Sequence, residues 1–131
     1  MIGIDTNILV RYLVQDDPAQ ALRATRIMEQ CLSEDDPGFI SLVTMAETAW
    51  VLDRAYGMSN VEIAHAIERL LQANTLALQN EQEVFTAMIA LKTGAAGFSD
   101  ALIGALGRWA GCAVTVTFDK KAARLKEFEL A

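Results

Sequence analysis

Asp5, Glu47, Asp100 and Asp119 stand apart from the other acids of this chain, because each sits where an apolar run ends or a helix opens. Asp5 closes Ile2-Gly3-Ile4, Glu47 lies in the first turns after Phe39-Ile40-Ser41, Asp100 leads into Ala101–Gly107, and Asp119 follows Ala113–Thr117. Two carboxylates about 4 Å apart repel by roughly 4 kcal/mol at an effective dielectric near 20. A cluster of such groups therefore calls for a cation among them. Oxygen donors without His or Cys at ligand spacing select a hard ion, Mg2+ or Mn2+. Each acid also has a structural alternative. Asp5 and Asp119 could cap helices, Asp100 could complement a helix dipole, and Thr44-Met45-Ala46-Glu47 matches a capping box.

The elements that must position these acids are legible from periodicity. Ile2–Ile4 reads as a buried first strand, and Asp5 sits where it gives way to a helix, the edge at which open α/β sheets bind ligands. Asp17-Pro18 starts a helix running to about Ser33. Glu34–Gly38 is a polar turn, and Phe39–Ser41 a second strand. Val43–Tyr56 is a helix stopped by Gly57 and apolar nearly all round, so it is deeply buried or part of an interface. Ser59 and Glu62 form a capping box for the next helix, which carries the lone His65 as a structural or surface residue. Thr75–Leu78 is a third strand. Asn80 and Glu83 open a helix to about Thr93, Gly94–Gly97 is a loop, and the small residues of the helix after Ser99-Asp100 suit close approach to a sheet. Ala113–Thr117 is a fourth strand and Phe128–Leu130 a short edge strand. Strands alternating with helices predict a three-layer α/β/α domain with a mainly parallel central sheet.

The totals agree with one domain over residues 1–131. With 53% apolar residues, a full core is available without disulfides or structural metal. Cys31 and Cys112 suggest reduced thiols and a cytoplasmic setting. The start lacks a signal peptide's basic region, and Arg108 interrupts the longest C-terminal apolar stretch, so neither secretion nor membrane spanning is expected. The net charge of −6 argues against a broad electrostatic grip on nucleic acid, yet it is compatible with cation binding and with a small shaped site for a polyanion.

Four stretches, Ile4–Arg11 (IDTNILVR), Ser41–Glu47, Phe98–Ile103 (FSDALI) and Thr115–Asp119 (TVTFD), occur in an order that resembles PIN-domain ribonucleases, specifically the VapC-type toxins of bacterial toxin–antitoxin pairs. The resemblance runs over almost the full length. It implies an acidic quartet of Asp5, Glu47, Asp100 and Asp119, with Thr6, Asn7, Ser41 and Thr117 as polar helpers. It also implies Mg2+- or Mn2+-dependent hydrolysis of RNA phosphodiesters, in which the metal polarises phosphate and acidifies water. The polar helpers would orient carboxylates or phosphate. A homodimer and a cognate antitoxin covering the active face are the partners implied. Lys120, Lys121, Arg124 and Lys126 could hold the RNA backbone or form a solvated face, and Arg11 and Arg108 have the same two readings.

Two other classes share parts of the pattern. A haloacid-dehalogenase-like phosphatase also begins with a strand ending in Asp, but it needs a second Asp where this chain has Asn7. A receiver-like signalling module has an acidic magnesium pocket, but it wants paired acids after strand one and a phosphoacceptor Asp after a middle strand. Here Asp5 stands alone, and Leu76-Ala77-Leu78 is followed by Gln79-Asn80.

Overall fold

In the structure, a computed structural model describing Met1–Ala131, the short apolar runs of the first half become strands β1 (Ile2–Gly3) and β2 (Gly38–Ile40). They join β3 (Leu76–Leu78) in a parallel sheet of order β1-β2-β3, with Ile2 opposite Gly38 and Gly38 opposite Leu76. The central strand starts at a glycine against which neighbouring side chains pack closely. A Cβ on Gly38 would fall 2.8 Å from Leu32 Cδ1 and 3.0 Å from Ile4 Cγ1.

Helices leave this sheet at its carboxyl edge. Asp5 is the N-cap of α1 (Thr6–Val14), whose Thr6, Leu9 and Val10 are buried at the spacing of one helix face. Gln15 ends α1 in the left-handed region, φ 63°, with its own Nε2 donating to Tyr12 O at 2.8 Å. Asp17 caps α2 (Pro18–Arg26), which continues as a wider π-turn over Ile27–Cys31 before Leu32 becomes extended. Ser41 caps α3 (Leu42–Arg54). Helix α1 packs on both α2 and α3. These elements form one unit, Met1–Met58 with Arg69–Gln79, whose buried side chains include Ile4, Leu9, Val10, Met28, Ile40, Met45 and Leu52.

The second unit comprises Ser59–Glu68 and Asn80–Ala131. Helix α4 (Asn60–Gln72) begins in it under the expected capping box, with Glu62 N–H donating to Ser59 Oγ and Ser59 N–H to Glu62 Oε1. Helix α5 (Glu81–Thr93) ends at Gly94, φ 77°, and packs on α6 (Phe98–Trp109). Strands β4 (Thr115–Thr117) and β5 (Phe128–Leu130) pair in parallel, Thr115 opposite Phe128. The small residues of α6 are what bring it close to these strands: a Cβ on Gly104 would fall 2.7 Å from Phe128 Cε2. Ile63, Ile67, Val84, Met88, Phe98 and Leu102 are buried in this unit.

The α/β class with parallel pairing is thus what the structure shows. The pairing divides into a three-stranded and a two-stranded sheet. No helix is long and apolar enough to cross a membrane.

Candidate active site

Asp5 and Glu47, 42 positions apart in the sequence, line one cleft of about 300 Å³ with Thr6, Asn7, Arg11 and Tyr56. Helix periodicity explains the convergence. On α3, Glu47, Val51 and Ala55 recur at intervals of four and face the cleft; on α1, Thr6–Val10 and Asn7–Arg11 do the same. The parallel sheet starts both helices from the same edge, Asp5 following β1 and Ser41 following β2.

The two acids differ in what else they do. Asp5 is a true cap: its Oδ1 accepts from the Thr6 N–H at 2.8 Å, which fixes the carboxylate while Oδ2 takes no bond within the protein. Glu47 is exposed and its carboxylate takes no hydrogen bond and no ion pair. The expected Thr44–Glu47 capping box does not form. Ser41 Oγ, not Thr44, accepts the first-turn N–H, from Thr44 at 3.2 Å, so Thr44 already lies inside the helix. The Leu42 N–H is held by Gln79 Oε1 at 2.9 Å, which sets the helix start one residue earlier than periodicity suggests. Glu47 therefore has no structural employment of the kind its sequence offered. Ser41 has one, as the cap of α3; Thr6 is buried and Asn7 exposed, both in the cleft wall.

The other two acids belong to the second unit. Asp100 lies in the first turn of α6 behind Gly97, which makes no side-chain cap. Its carboxylate complements the helix dipole. Asp119 Oδ1 accepts from the Lys121 N–H at 2.8 Å and the Ala122 N–H at 3.4 Å, just ahead of the 3-10 turn Ala122–Arg124. Thr117 Oγ1 accepts the Asp119 N–H at 3.0 Å, so Thr117 orients the backbone of that acid. Lys120, Lys121, Arg124 and Lys126 are exposed around it.

The donor chemistry of the Asp5–Glu47 cleft fits a hard divalent ion, with two carboxylates and the Asn7 carboxamide and no thiolate or imidazole. No protein cation pairs with any of the four acids, since the ion pairs are Met1–Asp36, Arg11–Asp16 and Lys92–Glu68. No group of three or more His, Cys, Asp or Glu side chains is gathered in a form that could hold a metal. His65 is exposed on α4, in keeping with a surface role.

Arg11 at the cleft wall is held from three sides. Its Nε donates to Gln20 Oε1 at 2.7 Å, and its Nη1 donates to Tyr56 Oη at 2.9 Å and Asp16 Oδ1 at 3.2 Å. The Tyr56 hydroxyl in turn donates to Asp16 Oδ2 at 2.8 Å. The bond to Tyr56, reinforced by the Asp16 charge, raises the guanidinium pKa further above its ordinary value. Sequence reasoning singled out Arg11 but missed Tyr56, Asp16 and Gln20. The helical recurrence of Glu47, Val51 and Ala55 was the one signal that pointed at the Tyr56 end of α3.

The sequence model of one family, described as the PIN domain, matches residues 2–127. No curated protein and no solved structure matches the chain.

Proposed function

The chain belongs to the PIN-domain family, whose members are generally nucleases, and from that premise we propose that it is a divalent-metal-dependent endoribonuclease acting through Asp5, Glu47, Asp100 and Asp119. Family membership does not favour the receiver-like or dehalogenase-like alternatives. The observation that carries the proposal is the meeting of Asp5 and Glu47 in one cleft of α1 and α3, neither carboxylate neutralised by a protein cation.

In this reading Asp5 and Glu47 would hold Mg2+ or Mn2+ from the cleft they share. The ion when bound supplies charge that polarises the phosphodiester and acidifies water. Asp5 is preset for holding it, because the Thr6 N–H restrains one oxygen and leaves the other open. We assign to Glu47, the acid without a structural bond, the acceptance of a proton from the attacking water. Asn7 orients carboxylate or phosphate from the cleft wall, and Thr117 steadies Asp119. Water adds across one P–O bond of the RNA, with the departing oxygen taking up a proton.

The motif resemblance extends the reading to the toxin of a toxin–antitoxin pair, a cytoplasmic homodimer of one PIN domain per chain. The exposed apolar residues on α3, Val43 and Trp50, and Leu22 on α2 support an interface on this unit. Light scattering should give twice the monomer mass at tens of micromolar, and a monomer there contradicts the dimer. Co-purification of a small partner from the native operon tests the antitoxin. For the enzyme itself, the experiment is cleavage-site mapping on total RNA. Discrete cuts with Mg2+ and none with chelator are expected, and equal cutting in chelator overturns the mechanism.

A further inference from the structure

A second cleft, of about 210 Å³, opens between α1 and α2 and is lined by Asn7, Arg11, Gln20 and Arg23 with apolar Ile8 and Ile27. It shares Asn7 and Arg11 with the Asp5–Glu47 cleft, so the two have a common wall. Around the shared Arg11 their linings differ in charge: Arg23 and no acid on this side, Asp5 and Glu47 on the other, on a chain whose net charge is −6. Arg23 is exposed and makes no ion pair. Arg11 is locked through Nε and Nη1, while Nη2 donates to nothing in the protein. A guanidinium held this way loses little freedom when its remaining N–H groups take a phosphate.

We propose that this cleft, through Arg11 Nη2, Arg23 and the Asn7 amide, binds the RNA phosphate next to the one cleaved at Asp5 and Glu47. The inference rests on the ribonuclease reading and adds to it a direction for the strand, from the acidic cleft across Asn7 and Arg11 toward α2. The shared wall places one phosphodiester where charge must be neutralised by metal and its neighbour where the protein neutralises it directly. Tyr56, Asp16 and Gln20 are positioning residues, acting through Arg11.

The test is binding of a labelled single-stranded RNA to the full chain at increasing salt, in Ca2+, which takes the same oxygen ligands. Three proteins are compared: wild type, Arg23→Gln, and Arg26→Gln. Arg26 is also exposed on α2 but does not line the cleft, so it reports on charge loss alone. Loss of one phosphate contact lowers the slope of log K against log salt by about 0.7 for a single strand. Arg23→Gln should show that drop with weaker binding, and Arg26→Gln should keep the wild-type slope. Equal slopes for wild type and Arg23→Gln, equal drops in both variants, or no RNA binding by wild type would each overturn the subsite. Cleavage of total RNA in Mg2+ is scored separately. RNA bound but never cut contradicts the ribonuclease reading, whereas RNA cut with an unaltered Arg23→Gln slope contradicts the subsite alone.

Discussion

The Tyr56 hydroxyl donates to Asp16 at 2.8 Å, joining the turn just past the C-cap of α3 to the loop between α1 and α2, 40 positions earlier. That bond, ahead of the charge of Arg11, holds the Asp16 carboxyl below its ordinary pKa.

A depressed carboxylate pKa makes a definite pH dependence. The folded state favours the ionised form, so the contribution is complete above the ordinary value of 3.8 and fades as the pH falls through the lower folded value. Tyr56→Phe should move the Asp16 pKa back up toward that value and leave Arg11 Nη1 with Asp16 alone. Carboxyl-carbon NMR titration of both proteins reads this directly. An unmoved Asp16 midpoint would mean that Arg11 and the local backbone set it.

Thr48 gives a prediction of opposite character. Its hydroxyl is buried, at 1% residue exposure, and has no hydrogen-bond partner. An unpaired buried hydroxyl costs about 1–3 kcal/mol. Thr48→Val keeps the β-branched shape and removes the cost, so unfolding free energy should rise by about 1 kcal/mol, worth several degrees in Tm. Chemical denaturation checks it; a comparable loss of stability would show that the hydroxyl is paired in solution.

The fold is largely readable because its strands are apolar runs bounded by turn residues, and several of its helix starts carry local caps. Asp17-Pro18 and Ser59–Glu62 form as written, and Phe128–Leu130 pairs as the edge strand expected. The start of α3 differs from its local pattern for a physical reason. Ser41-Leu-Val-Thr44 and Thr44-Met-Ala-Glu47 overlap, and the local pattern cannot say which hydroxyl sits at the cap. Gln79, 37 positions away, decides it by holding the Leu42 N–H. The same limit hid the clamp on Arg11, because Tyr56 lies 45 positions from it. The candidate acids were visible one by one from where apolar runs end, whereas the pairing of Asp5 with Glu47 depends on β1 and β2 lying parallel.

The central claim is that Asp5 and Glu47 hold a metal used to cut RNA. Asp5→Asn preserves the cap, since Asn caps a helix about as well as Asp. Glu47→Gln removes a charge that makes no bond within the protein. Stability without metal should therefore stay within about 0.5 kcal/mol of wild type, or rise as repulsion is relieved.

The most direct measurement is the thermal melt of wild type and Glu47→Gln with and without Mg2+, beside RNA cleavage by the same samples. At about 100 times Kd, a bound ion stabilises wild type by about 2.7 kcal/mol, a shift of several degrees. The account predicts that Glu47→Gln melts normally without metal, loses the Mg2+ shift and loses cleavage. A Glu47→Gln protein that keeps both the wild-type Mg2+ shift and wild-type cleavage would contradict it.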